Sequence, residues 1–505
     1  MAPSVSSSKL TLTYPIFAAD FLDATRFIVG GGGGEGRSGV GNKIVTLLTL
    51  LDASNPAEIT QISEHTLSRD EDSCMSLGIA QPANPSSPPV ILAGVNSSEA
   101  ILESGHNEHF RTIPIVKASS GSLDISSAVG ATRRQIFTSI TSKEMYQRVL
   151  RTKAGTVAIA NGGGIATSKD YEIIVAASDT LQVLKKIPLP SEAADLDLDD
   201  DGENLVYCTA KEIFTMHRKE NPRKITTPPG EGNIRSARWL PFSPPRILIT
   251  RNRPGRSGID MYLLDPDTGS VISKHPLPKT AKAATSLDTT SLNATATLAA
   301  VSAADQSIYL FHIIPNKILP AKHFTDVHPH QITKLAFSRA AALQPVSSDS
   351  SVYGDTDEKD TPEEEERHIV RLASTSIGNT IVVHTIPVSG GRVMSKSAGL
   401  TQTSVSLVAV VFFAILLQYV FLTRAGFSGL SVSPAMKEAW GDVVARLRGE
   451  SGGDSGVTAE HGAPFEDLEG RSLEDDLWVE KERRPVESAE DWHRRPMGDS
   501  VEDVD

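Results

Sequence analysis

The chain has 505 residues, a formal net charge of −13, 38 glycines and 30 prolines, but only two cysteines. That length holds one large domain with appendages or several small ones. The negative balance excludes broad, charge-driven nucleic-acid binding, and the widely separated Cys74 and Cys208 exclude a disulfide framework or cysteine-rich zinc site.

Both cysteines are expected to be small buried apolar residues. Residues 1–17 carry neither a basic start nor an apolar h-region, so no secretory signal is expected there. Up to about residue 390 the chain shows no helical periodicity. Short apolar runs alternate with Gly, Pro, Asn, Asp and Ser clusters, which signal strands and turns. One unit recurs: an apolar strand ending in small residues, a polar turn, then a second apolar strand. Seven copies are anchored near Ile28, Ile91, Ala158, Val206, Leu248, Leu298 and Leu372. Repeats of about 40 residues with four short strands each mark a β-propeller, whose blades bury both faces only in a closed ring. The predicted fold is all-β: a seven-bladed WD40-like β-propeller over residues 9–388. No repeat carries the Gly-His and Trp-Asp pairs of the WD signature. Residues 9–16, KLTLTYPI, are expected to supply the last blade's outer strand and fasten the ring. In AADLDLDDDGENLVYCTAKEIFTMH, Leu196 and Leu198 alternate ahead of an Asp201-Gly202 turn, and a second strand follows.

Two segments read as insertions. Residues 116–135, rich in Ser, Gly and Ala, are expected to form a loop between blades. Residues 343–367 are acidic and nearly free of apolar side chains, as disordered segments are. A juxtamembrane linker is expected at 389–403. Residues 404–422, SVSLVAVVFFAILLQYVFL, carry no charge and are closed by Arg424. As a helix they would span about 28 Å, close to the roughly 30 Å of a bilayer core, which predicts a single transmembrane helix. Arg392 and Lys396 before it balance Arg424 and Lys437 after it, so basic residues leave its orientation open. With no upstream signal, the propeller is expected on the cytosolic side and residues 423–505 on the lumenal side. Met436, Trp440, Val443, Val444 and Leu447 fall at helical spacing, and Pro434 suits a first turn. From Glu450 onward, 18 acidic residues stand against 6 basic ones, and the tail is expected to be largely disordered.

Several motifs suggest chemistry and then fail their context. Gly34, Gly36 and Gly39 fit G-x-G-x-x-G, but NKIVTLLTLLD follows as a strand where a dinucleotide fold needs a helix. Gly36 and Gly41 have P-loop spacing, yet Asn42 and Lys43 stand where Lys and Ser/Thr belong. No nucleotide is expected on this chain. Asp197, Asp199, Asp201 and Gly202 have EF-hand spacing, but Cys208 replaces the twelfth-position Glu, and a blade turn is expected. His323, His328 and His330 are expected in an inter-blade loop and not at a metal. The sequons at Asn96 and Asn293 matter only for a lumenal propeller. The glycine loop is longer than a hairpin needs. Without Cβ atoms it lets backbone amides and carbonyls approach a partner or an ion closely.

Seven divergent blades, a glycine-rich loop inside the first, and one span after the last together resemble the Sec-twelve (prolactin regulatory element-binding protein) family. These are endoplasmic-reticulum membrane exchange factors for the Sar small GTPase that starts COPII coat assembly. The loop carries the resemblance furthest. Gly31, Gly32, Gly33 and Gly34 match the family's glycine run, and Glu35, Gly36, Arg37 and Ser38 its variable stretch. Gly39, Val40, Gly41 and Asn42 match its Gly-aliphatic-any-Asn close. Residues 146–164, YQRVLRTKAGTVAIANGGG, open the third blade much as in the family. The resemblance covers residues 9 to about 422 and leaves the tail unassigned. It implies a regulatory exchange factor with no catalytic residues, promoting GDP release and GTP loading of a Sar-type GTPase at the endoplasmic-reticulum bilayer. It further implies GTPase contact by Gly31, Gly32, Gly33, Gly34, Glu35, Gly36, Arg37, Ser38, Gly39 and Asn42. A potassium ion would sit on the backbone of Gly34, Glu35, Gly36 and Ser38, with Asn42 bracing the loop's return. The charges of Glu35 and Arg37 depart from the family pattern. The alternative reading is a membrane-anchored WD40 scaffold without exchange activity.

Overall fold

The recurring apolar pairs of the sequence are the second and third strands of seven antiparallel sheets, each built on four strands. In a sheet sandwiched between neighbours these strands are covered on both faces, so their sequences are continuously apolar and do not alternate. Thr156–Gly162, Ile259–Leu264 and Ala296–Ala303 are buried at every position, whereas the fourth strand Val183–Pro188 is largely exposed. Ile28, Ile91, Ala158, Val206, Leu248, Leu298 and Leu372 each lie on the second strand of a different blade, and each has no exposed surface.

The computed structural model describes residues 4–32, 47–67, 71–80, 88–118, 121–127, 129–138, 145–163, 170–342 and 367–394. The chain divides into two compact units, Met1–Val408 and Ala409–Asp505, and the second lies wholly outside the described residues. So do the expected span at 404–422 and all of the expected acidic insertion except Arg367. No helix among the described residues is long and apolar enough to cross a membrane.

Blade 1 comprises Ile16–Phe21, Arg26–Gly31, Leu47–Asp52 and Thr60–Thr66; blade 2, Ser76–Ala80, Val90–Gly94, Phe110–Pro114 and Thr132–Arg134. Blade 3 comprises Tyr146–Lys153, Thr156–Gly162, Glu172–Ala177 and Val183–Pro188; blade 4, Ala193–Leu198, Asn204–Thr209, Ile213–His217 and Arg223–Ile225. Blade 5 follows with Asn233–Leu240, Arg246–Asn252, Ile259–Leu264 and Val271–Pro276. Blade 6 has Ala284–Asn293, Ala296–Ala303, Ile308–Ile314 and Lys317–Phe324. Blade 7 takes Ile332–Phe337, Arg367–Ser376 and Thr380–Ser389, and its fourth strand is the N-terminal Ser6–Thr11, paired from Ser6↔Thr385 to Thr11↔Thr380. Ile16, read from the sequence as the end of this closing strand, opens blade 1 instead, because the chain bends at Thr13–Tyr14.

Seven hydrophobic clusters hold the ring, one between each pair of neighbouring blades. The cluster joining the last blade to the first packs Tyr14, Ile16 and Phe27 against Ala336, Ile381 and Val383. Arg371 of blade 7 reinforces that junction by donating to the carbonyls of Ala24 and Ala53 in blade 1, at 2.9 and 2.8 Å. Cys74 and Cys208 are unpaired and buried within the clusters between blades 1 and 2 and blades 4 and 5.

The expected Asp-rich blade turn is present. Asp199 Oδ1 accepts from the backbone N–H groups of Glu203 and Asn204, at 2.9 and 3.0 Å. Gly202 closes the turn at φ +68°, where a Cβ would lie 2.6 Å from the Lys153 carbonyl. Residues 116–135 differ from the expectation of a loop between blades. Val116–Lys117 pairs with Leu123–Asp124 as a small hairpin, and Thr132–Arg134 is blade 2's own fourth strand. Ile125 accounts for the difference: it is fully buried in the cluster between blades 1 and 2, and its N–H donates to Ser63 Oγ at 3.1 Å.

Candidate functional site

Antiparallel order fixes which connections share a face. Within each blade, the link between strands two and three emerges at the same end as the link to the next blade; the other links emerge opposite. The glycine loop of blade 1 therefore leaves from the face that also carries every inter-blade connection. The last long strand, Thr380–Ser389, ends at the opposite face.

The root of the glycine loop is built for close packing. Gly31 pairs with Leu47 as the final rung of its ladder. A Cβ on Gly31 would collide with the Pro15 carbonyl, and one on Gly30 would come within 2.7 Å of Cys74 Sγ. The Gly32 N–H donates to that Pro15 carbonyl at 3.0 Å, and Ser73 Oγ donates to the Gly32 carbonyl at 2.8 Å. Gly31 and Gly32 are thus buried structural residues that pin the loop's start. Gly33, Gly34, Glu35, Gly36, Arg37, Ser38, Gly39 and Asn42 lie outside the described residues. Next to this root, Asn96 is buried, and its side-chain amide donates to the Met145 carbonyl at 2.8 Å, tying blade 2 to the approach to blade 3.

The same face opens into the ring's central channel, a cavity of about 620 Å³ lined by the first residues of all seven innermost strands. A charged belt crosses it. Arg151, Asp195, Arg238 and Lys334 line the cavity, and Asp20, Asp197 and Asp288 stand deeper on the same set of innermost strands, from blades 1, 3, 4, 5, 6 and 7 together. Arg238 Nη1 meets Asp195 Oδ2 at 2.5 Å, and its Nε lies 3.6 Å from Asp288 Oδ1. Arg151 Nη2 stands 3.7 Å from Asp195 Oδ1. Three of these carboxylates also stitch neighbouring blades. Asp20 accepts from Ile79 N–H, Asp197 from Trp239 N–H and Asp288 from Phe337 N–H, at 2.8, 2.9 and 2.8 Å. Burial raises the Asp20 carboxyl to about 6 despite the Ile79 N–H. Burial also pushes Asp195 upward, but Arg238 and Arg151 outweigh it and hold the carboxyl below its ordinary value. Burial, reinforced by Arg151 and Arg238, lowers the Lys334 ammonium to about 7. Sequence reading missed this belt. Its signal was a lone charge in several otherwise small or apolar inner strands, such as Asp20 in FAADF and Lys334 in TKLAF.

The histidines of the 323–330 segment do not converge. His323 lies on the strand Lys317–Phe324 and stacks on Tyr309 with centroids 4.2 Å apart. His328 is buried in the inter-blade connection, bonded to Thr380 Oγ1 at 2.7 Å and Ser374 Oγ at 2.8 Å. His109 accepts the N–H groups of Ile136 and Phe137 on Nε2, which assigns its proton to Nδ1, facing Gln147. His384 meets Ser7 of the closing strand at 2.6 Å. Burial drives His109, His328 and His384 each down to about 4. Their folded values lie below the ordinary 6.5, so their contribution to stability is complete above that pH and is lost as the pH falls toward 4. Asp20, raised to about 6, opposes this by favouring the folded state as the pH falls from there. Three imidazoles against one carboxyl predict a urea midpoint lower at about pH 5 than at about pH 7.5. An unchanged midpoint would mean that these rings are not buried neutral.

No family model matches the chain. The guanine nucleotide-exchange factor SEC12 of Candida glabrata is 24% identical over 330 residues, covering 64% of this chain and 66% of its own length. Over that stretch the chain is similar to SEC12. The putative guanine nucleotide-exchange factor SED4 of the same organism is 25% identical over 348 residues, covering 66% of this chain and 30% of its own length. The match thus spans just under two thirds of one relative and under a third of the other. Among solved structures, Sqt1 from Chaetomium thermophilum aligns with TM-score 0.43 and 13% identity, over 75% of this chain and 98% of its own. The WD40 domain of Toxoplasma gondii coronin aligns with TM-score 0.47 and 10% identity, over 78% and 88%.

Proposed function

We propose that the chain is a guanine nucleotide-exchange factor for a Sar-type small GTPase, anchored in the endoplasmic-reticulum membrane by residues 404–422 with its propeller in the cytosol. The observation that carries this is the similarity to SEC12 over 330 residues. The glycine loop, rooted rigidly by Gly31 and Gly32 on the face of the inter-blade connections, supports it. An exchange factor makes and breaks no covalent bond. It binds the nucleotide-free GTPase more tightly than the loaded one, and that difference in affinity drives nucleotide out. Gly33 to Ser38 would press on the partner's phosphate-binding elements, with Asn42 bracing the loop's return through side-chain hydrogen bonds to backbone. Neutral backbone carbonyls suit a potassium ion, as in other carbonyl-lined sites, and the backbone of Gly34, Glu35, Gly36 and Ser38 would hold it. Anchorage would confine GTP loading, and so COPII assembly, to one membrane.

In a pull-down with the full chain, a Sar-type GTPase stripped of nucleotide is expected to bind at least roughly ten-fold more tightly than the GDP-loaded form, since exchange needs differential affinity. Equal retention of both forms would support a scaffold without exchange activity.

A further inference from the structure

The channel mouth is a concentrated basic site in an acidic protein. Arg148, Arg151, Arg235, Arg238, Arg256 and Lys334 line it, and Asp195 is the one carboxylate among its lining residues. Asp195 is engaged by Arg238 and Arg151, and Arg148 is paired with Glu192 at 2.5 Å. Arg235, Arg256 and Lys334 are left with no carboxylate within 4.0 Å among the described residues. Arg235 Nη2 is held at 2.8 Å by the carbonyl of Thr285, which fixes the guanidinium at the wall of the cavity. The cations also face one another: Arg148 bears on Arg235 more strongly than Asp195 does, and Arg151 and Arg238 bear on Lys334 more strongly than Asp288 and Asp195 do. Crowded, partly desolvated cations raise the energy of the empty site, and an entering anion relieves it.

We propose that this mouth binds a small, multiply charged phosphate anion, with Lys334 and Arg235 at its floor and wall and Arg256 at its rim. Guanidinium forks match phosphate oxygens in pairs, and the ammonium adds a point charge. The volume, about 620 Å³, suits a small molecule and not a folded partner. Arg256 sits in the connection between strands two and three of blade 5, on the rim of the same face as the glycine loop. The site is independent of the exchange activity proposed above, since it is built wholly from this chain's own residues and can be read without any GTPase.

A free polyphosphate and a lipid headgroup present the same chemistry, so the test includes both. Titration calorimetry on the full chain at constant ionic strength would use inorganic pyrophosphate, inositol hexakisphosphate, and vesicles containing phosphatidylinositol phosphate. Binding of either soluble anion is expected. Lys334→Met should weaken it at least roughly ten-fold, the scale of one lost charge-assisted contact. Arg256→Glu, on an exposed rim and harmless to folding, should weaken it similarly and keeps the test decisive if Lys334→Met does not fold. Absence of binding by both soluble anions up to about 1 mM, the edge of specific affinity, would overturn the proposal. So would vesicle binding alone, because a headgroup recognised in the channel must also be recognised free. Unchanged affinity in a folded variant would likewise overturn it.

Discussion

Alanines in place of Gly34 and Gly36 are expected to abolish accelerated nucleotide release while leaving the ring folded. The fold survives because blade 1 is secured at the loop's root: Gly31 closes the ladder against Leu47, and Ser73 holds the Gly32 carbonyl. What the alanines remove is close backbone approach, since each adds a Cβ between the chain and its partner and narrows the available backbone conformations. A fall in exchange rate of at least roughly ten-fold is expected, equivalent to about 1.4 kcal/mol of lost transition-state stabilisation. Thermal unfolding of the same variant should match the unmodified chain. Gly31→Ala is the contrasting substitution. Its Cβ would collide with the Pro15 carbonyl, so it should lower stability by about 1–3 kcal/mol, as overpacking does. Full exchange activity in the Gly34/Gly36 variant would remove the loop from the mechanism.

The largest expected loss of stability follows truncation of Arg238. Its side chain is almost fully buried, meets Asp195 at 2.5 Å, and donates to the Leu287 carbonyl of blade 6. Arg238→Ala strands Asp195 without its nearest counter-charge. Breaking a buried ion pair from one side costs about 3–5 kcal/mol, whereas replacing both partners by apolar residues is often close to neutral. Urea unfolding should therefore show a sharply lowered midpoint for Arg238→Ala. The double variant Arg238→Met/Asp195→Leu should recover a large part of it. Equal losses in the two would show that the pair matters through packing and not charge.

The parts of this molecule legible in the sequence are those governed by local burial. Ile28 and Leu372 could be picked out as blade anchors because second strands are apolar on both faces, which leaves continuous runs between turns. Cys74 and Cys208 were legible as buried thiols because an unpaired cysteine behaves as a small apolar residue. The aspartates with EF-hand spacing were correctly read as belonging to a blade turn and the strand before it, with Asp197 on the strand and Asp199 and Asp201 at the turn. Their separate duties were hidden, because Asp197 reaches Trp239 in the next blade while Asp199 stays within its own hairpin. Long-range electrostatics were hidden too. Arg238 contacts Asp195, 43 residues earlier, and Asp288, 50 residues later, and Lys334 faces charges from blades 3 through 6. Only closure of the ring brings these groups together: the lone charge in TKLAF or SARWL signals a buried ion but does not say which charges it meets. Residues 116–135 misled because their Ser and Gly content masks Leu123 and Ile125, the apolar residues that pack the segment against blade 1. For the glycine loop, the sequence carries the composition and the fold carries the position of its root.

One measurement bears most directly on the central claim. A Sar-type GTPase loaded with a fluorescent GDP analogue is mixed with excess GTP, with and without the full chain, in potassium buffer. The account predicts that release accelerates in proportion to the concentration of the chain. Release at the spontaneous rate, at every concentration of a folded chain, would contradict it.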